Sequence, residues 1–317
     1  MIRRENIRAA RWKFRFSSRI AVAGSVRRIS GVDCLEALNI TQPKQVAAMH
    51  TRMMRAGARL IFTNTARAAP QLLDRYRMHD EAFAISFLAA NIACRAVRET
   101  PGGLKRVAVV GDVRLPRRLP GHGYLTGAEV EAAAAAMTSA QVAGGVNAVH
   151  LVASNHPAHM AAAFSGLRAG MAEAGRTVPV FATVREDLRE AEEDPATATR
   201  KSLSTAVLAH SLGAVALGIE TGTDVDLTIA RLSELAAHVD TDLFLAPGGS
   251  EETARKCLAD AAIGPRLIFV GADQPSEAWR LSRFVPATLT ASSIRRAANE
   301  NIAASAATTA PILGVAR

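Results

Sequence analysis

Eight short runs rich in β-formers, each followed by a longer stretch of helical period, constrain the chain more than any other feature. The runs are Arg19–Gly24, Arg59–Asn64, Arg106–Asp112, Val146–Ala153, Val178–Thr183, Ala214–Ile219, Asp242–Ala246 and Arg266–Val270. The helical stretches include Pro43–Ala56, Glu81–Arg98, Glu129–Ala143, Pro157–Ala174, Ala196–Ser211, Asp224–His238 and Glu251–Ala262. Strands that alternate with helices pair in parallel, because each helix carries the chain back across the sheet. Eight such units predict one closed (β/α)8 TIM barrel, all α/β, over residues 19–317. An open nucleotide-binding sheet would need a glycine-rich turn after the first strand. Val22-Ala23-Gly24-Ser25-Val26 supplies one glycine and no GxGxxG.

Helix starts carry local signals. Thr41-Gln42-Pro43 offers a capping hydroxyl and a first-turn proline, Asp224 and Ser250 can cap theirs, and Asn155 or a neighbour can cap the helix at Pro157. Glu190 to Pro195 reads as an acidic, solvated turn. The alanine runs 132–136 and 304–310 are explained by helix propensity alone.

Charge and cysteine content narrow the function classes. Residues 1–18 form a basic arm, where Arg3, Arg4, Arg8, Arg11, Lys13 and Arg15 surround one acid, Glu5. The arm has no apolar stretch of the secretory kind, and a transit peptide stays open as a reading of it. Net charge is +9, yet aromatic residues make up only 4% and do not interleave with the basic ones, which argues against a nucleic-acid partner. No apolar run is long enough to span a bilayer, so no membrane role is expected. The three cysteines, Cys34, Cys94 and Cys257, lack CxxC or CxxH spacing and read as buried structural residues in a reducing cytoplasm.

On the predicted barrel, strand ends converge on one face, so remote residues can share a site. Thr63-Asn64-Thr65 closes strand two, with Arg67 beyond it. Arg114, Arg117 and Arg118 follow strand three and could receive a carboxylate or phosphate. His156 and His159, three apart at a helix start, with His122, Glu220 and Asp273 on loops of the same face, could hold zinc or another divalent ion; solvated loop residues are the plainer reading.

Thr41-Gln42-Pro43, His50, Ala56-Gly57-Ala58 and Thr63-Asn64-Thr65, in this order and spacing, resemble the homocysteine S-methyltransferases, including the homocysteine module of cobalamin-dependent methionine synthase. Arg59 and Ala66 stand where that pattern has Asp and Phe. The resemblance is specific over roughly residues 35–100 and collinear but weak to about 280. It implies a single TIM barrel, methyl transfer to homocysteine, and a zinc held by three thiolates at the ends of strands six and eight. Catalytic zinc sites keep a fourth position open, here for the homocysteine sulfur, whose deprotonation makes it a nucleophile. Those three positions align with Thr221, Ala272 and Asp273. The Gly-Pro ending strand three becomes Gly111-Asp112, the Glu-Thr ending strand four becomes Val152-Ala153, and only Pro247-Gly248-Gly249 is left of the strand-seven motif.

The resemblance therefore implies the barrel and puts the reaction in doubt. The expectation is a methyltransferase-like protein without zinc-thiolate catalysis, no cofactor being expected. It would bind a small amino-acid or anionic ligand through Gly24, Thr63, Asn64, Thr65, Arg67, Asp112 and Glu220, or support a corrinoid protein or an active homologue. Two alternatives stand beside it: an active methyltransferase using another metal or none, and a structural protein acting through homo-oligomeric contacts.

Overall fold

The structure is a computed structural model and describes residues 21–25, 32–103, 107–119, 123–222, 224–245, 251–260, 263–264 and 267–284. The basic arm, His122, Pro247-Gly248-Gly249, Ser250 and the second alanine run lie outside the described residues.

Eight parallel strands close into a barrel. They are β1 (Ala21–Gly24), β2 (Leu60–Phe62), β3 (Ala108–Arg114), β4 (Ala148–Ser154), β5 (Val180–Arg185), β6 (Ala214–Glu220), β7 (Asp242–Leu245) and β8 (Leu267–Ala272), with β8 pairing back to β1. The helices that follow them are α1 (Pro43–Arg55), α2 (Ala82–Glu99), α3 (Gly127–Ala143), α4 (Pro157–Glu173), α5 (Pro195–Ser211), α6 (Val225–His238), α7 (Glu251–Ala259) and α8 (Pro275–Phe284). A two-residue antiparallel ribbon, Arg118–Leu119 with Gly123–Tyr124, decorates the β3–α3 loop. Among the described residues no helix is long and apolar enough to cross a membrane.

Strand alternation divides the core in two. Ala21, Ala23, Leu60, Phe62, Ala108, Val110, Ala148, Phe181, Ala216 and Phe244 fill the barrel interior, while the intervening residues, such as Val109, Val149 and Leu151, pack under the helices. Interior crowding sets one glycine: a Cβ on Gly218 would lie 2.8 Å from the Phe244 ring. Outside, Gly166 and Gly170 of α4 let the α3 backbone approach so closely that a Cβ on Gly166 would lie 2.2 Å from the Glu131 carbonyl oxygen. Ala133 and Ala134 are buried, so the first alanine run serves close helix packing as well as helix propensity.

Several local expectations need correction. Thr41 does not cap α1: its hydroxyl turns back to the Ala37 carbonyl (3.1 Å) as part of the turn Leu38–Thr41, and Gln42 is the cap residue. Pro43 does open that helix, and Asp224 caps α6 through the Leu227 N–H (2.9 Å). Asn155 does not cap α4; its amide donates to Glu190 (3.2 Å). The acidic turn is a short helix, Leu188–Glu193, in which Glu190 pairs with Lys201, and Asp194 then caps α5. Cys94 and Cys257 are buried, but Cys34 is only partly so.

Candidate functional site

The carboxyl ends of the strands open on one face, and the upper interior positions there are polar instead of apolar. Register explains how they meet. Asp112 of β3 lies opposite His150 of β4, and both point inward. His150 is fully buried between Phe62 and Phe244, with ring centroids 5.2 and 5.5 Å away and edge-on geometry. Both of its ring nitrogens have partners: Nδ1 is 2.8 Å from Asp112 Oδ1, and Nε2 is 2.8 Å from the Thr183 hydroxyl. A buried imidazole so held is fixed in orientation.

One level higher, two residues along β3, Arg114 donates from Nε to Asp112 Oδ2 (3.0 Å) and from Nη1 to Glu220 Oε2 (3.2 Å). Burial alone disfavours its charge, but Asp112 and Glu220 outweigh that and raise its pKa. Arg185 is in register with Glu220 on β6, with Nε 3.5 Å from Glu220 Oε1. Burial pulls the Arg185 pKa down, Glu220 opposes the fall, and the Arg114 charge adds to it. Two donors have no hydrogen-bond partner: Arg114 Nη2, on a residue 6% exposed, and Arg185 Nε.

These two arginines line a cavity of about 430 Å³ together with Glu36, Arg67 and Arg75. Glu36 is buried and accepts the Arg67 backbone N–H (2.8 Å); burial raises its pKa although Arg67 works against the shift. Arg75 stacks over Tyr76, 4.9 Å from the ring centre. The mouth on this side is therefore rich in guanidinium groups, the side chain best suited to grip a carboxylate or phosphate.

Of the residues expected from sequence to bind a ligand, Arg67 lines this cavity, and Asp112 and Glu220 anchor its Arg114. Thr63, Asn64 and Thr65 are buried and turned to protein partners. The Thr63 hydroxyl accepts the Asp112 N–H (2.9 Å) and donates to Gln141 (3.0 Å), Thr65 donates to the Asp112 carbonyl (2.6 Å), and Asn64 donates to the Leu35 carbonyl (2.7 Å). Thr63 and Thr65 brace the end of β2 against β3, and Asn64 ties it to the segment ahead of α1. Gly111 belongs to the same brace, since a Cβ there would lie 2.4 Å from Gln141 Oε1. Gly24 faces the helix layer, where a Cβ would lie 3.0 Å from Met53, a tight fit against that side chain.

His150, Arg185, Glu36 and Arg75 were not singled out from the sequence. Alternation along β4 carried a signal for His150, which shares the inward face with Ala148. Arg185 lies two residues beyond the expected end of strand five, on the inward parity of Phe181 and Thr183. Glu36 sits in a turn and Arg75 in the one-turn 3-10 helix Asp74–Tyr76, and no periodicity marks either.

The three positions of the family's zinc ligands offer a different chemistry. The Thr221 hydroxyl lies 2.6 Å from that of Thr228, the Ala272 methyl is fully buried, and Asp273 accepts from the Ser25 hydroxyl (2.9 Å). One carboxylate, one engaged hydroxyl and one methyl do not fit a thiolate-type zinc site. Cys94 and Cys257 lie in α2 and α7, and burial pushes the Cys257 thiol up to about 12. His156 and His159 are not brought to Asp273: they line a separate cavity of about 350 Å³ with Arg117 and Tyr124. Among the described residues no three His, Cys, Asp or Glu side chains gather as a metal site.

Comparison with known proteins agrees with this architecture. Over 187 residues the chain is 28% identical to methionine synthase of Mycobacterium leprae and 27% identical to that of Mycobacterium tuberculosis; each match covers 59% of this chain. The chain spans only 14% of the length of these relatives. Among solved structures, the homocysteine methyltransferase MmuM of Escherichia coli superposes with a TM-score of 0.65 in its metallated form and 0.64 in its oxidized form. Identities are 17% and 19%, and 84% of this chain and 96% of that one are covered. Likeness at that identity supports the fold. The sequence profile described as Homocysteine S-methyltransferase matches residues 3–263, and on that match the chain belongs to the homocysteine S-methyltransferase family.

Proposed function

We propose that this family member binds a small anionic or amino-acid ligand in its barrel mouth and does not carry out zinc-thiolate methyl transfer. One observation carries the reading: Arg114, with an unpartnered Nη2, and Arg185 line a 430 Å³ cavity, while the thiolate positions hold Thr221, Ala272 and Asp273. Without a metal to deprotonate it, a homocysteine thiol of pKa about 8.5 stays largely protonated at neutral pH and is a poor nucleophile. The guanidinium groups, by contrast, suit the carboxylate that every amino acid carries.

Two experiments test this. Assays with homocysteine and S-methylmethionine, betaine or methylcobalamin are expected to give no turnover with added zinc; robust turnover overturns the loss of catalysis. Thermal shift with small carboxylates is expected to raise the melting temperature, as ligands of the native state do. No shift with any anion overturns the binding reading.

A second reading rests on the match to methionine synthase over 14% of its length. The barrel would then work beside a corrinoid protein or an active homologue in the cytoplasm. Co-purification of the full chain with such a protein supports it, and a monodisperse chain that ignores both counts against it.

A further inference from the structure

The cavity has two tiers. Its floor is Arg114, 6% exposed, whose Nη2 has no hydrogen-bond partner, with Arg185 beside it, its Nε 3.5 Å from Glu220 Oε1. Its rim is Arg67 and Arg75, both exposed, whose guanidinium groups form no salt bridge among the described residues. Four guanidinium groups thus face three carboxyl groups, Glu36, Asp112 and Glu220. Burial raises the Glu36 pKa, and the Arg67 backbone N–H and charge oppose that rise.

A single carboxylate can satisfy the floor donors and leave the rim unanswered. A ligand with a second anionic group some bonds away answers both tiers, and a volume of about 430 Å³ holds such a molecule. Building on the anion-binding reading above, we infer that the ligand is a small dicarboxylate, with one carboxylate on Arg114 and Arg185 and the other on Arg67 and Arg75. Arg114, buried and held by Asp112 and Glu220, supplies a fixed fork beside the partly exposed Arg185; the rim adds longer-range attraction that salt screens.

Isothermal titration of the full chain with propionate, succinate, glutarate and inorganic phosphate separates the outcomes. The expected result is a dicarboxylate bound at least about tenfold more tightly than propionate and phosphate, the gain falling as salt rises. A double rim variant, R67A/R75A, changes two exposed side chains and is expected to fold normally. It should bring dicarboxylate affinity down to the propionate level while leaving propionate within about threefold. Equal binding of propionate and dicarboxylates overturns the two-tier inference and leaves the anion-binding reading standing. Phosphate bound as tightly as succinate also overturns it, in favour of a compact oxyanion site. Failure of all four to bind overturns both readings.

Discussion

The two arcs of the barrel mouth have taken opposite courses. From β2 to β6 nearly every inward polar group is tied to another: Thr63 to Asp112, Asp112 to His150 and Arg114, Arg114 to Glu220. From the end of β6 through β8 to β1, the positions that carry metal ligands in the family hold Thr221, Ala272 and Asp273; the Thr221 hydroxyl pairs with that of Thr228, and Asp273 accepts from Ser25 just beyond β1. Among the described residues, charge is concentrated in the first arc and no metal-type cluster of His, Cys, Asp or Glu gathers in the second. A barrel keeps its closure through backbone pairing and apolar packing, so side chains at one arc can change without disturbing the other.

The largest expected effect lies in the first arc. Arg114→Met strands the Asp112 and Glu220 carboxylates, one of them deeply buried, and should cost about 3–5 kcal/mol in a denaturant titration. A loss under about 1 kcal/mol would break the comparison, because the network would then be decoration.

Acid reads a third region and so keeps the arcs apart. His50 of α1 is fully buried with neither ring nitrogen hydrogen-bonded, and burial lowers its pKa from 6.5 to about 4. The native state keeps it neutral, whereas the unfolded chain protonates it below about 6.5. Stability is therefore complete above that pH and falls as pH drops from 6.5 toward 4, by about 3 kcal/mol from this group. His159, lowered to about 4 mainly by its burial, adds in the same direction. His50→Leu should flatten the slope of stability against pH in that window, and an unchanged slope would assign the lability elsewhere.

Thr183→Val tests the inner end of the first arc. It removes the partner of His150 Nε2 in a buried setting and should cost about 1–3 kcal/mol, seen as a lower denaturation midpoint. In the second arc, Asp273→Asn keeps an acceptor for Ser25 on a partly exposed loop and should cost no more than about 0.5 kcal/mol. If these two values came out reversed, the division of the mouth would have to be redrawn.

Much of the barrel was legible in the sequence because it rests on period. All eight runs became strands, with ends within about two residues of expectation where described, since β-branched runs and helix starts are local signals. Charged side chains hid three upper ends: strands three, five and six run on to Arg114, Arg185 and Glu220, where polar residues look like loop, and strand eight runs on through Gly271 to Ala272. Thr41 misled because its hydroxyl could bond either forward or back, and the turn Leu38–Thr41 decided for the Ala37 carbonyl. The site was harder to read because it depends on register. Asp112 meets His150 only through the offset of β3 against β4, and Arg185 meets Glu220 only through that of β5 against β6. Glu36 reaches the cavity from a turn and Arg75 from a single 3-10 turn, both too short for spacing to carry three-dimensional information.

The most direct test is zinc analysis of the purified protein, reconstituted with excess zinc and homocysteine and then dialysed. With Thr221, Ala272 and Asp273 in place of thiolates, bound zinc is expected far below one ion per chain. A tightly held zinc at one per chain, lost on Asp273→Ala, would contradict that expectation and return this barrel to metal-dependent chemistry.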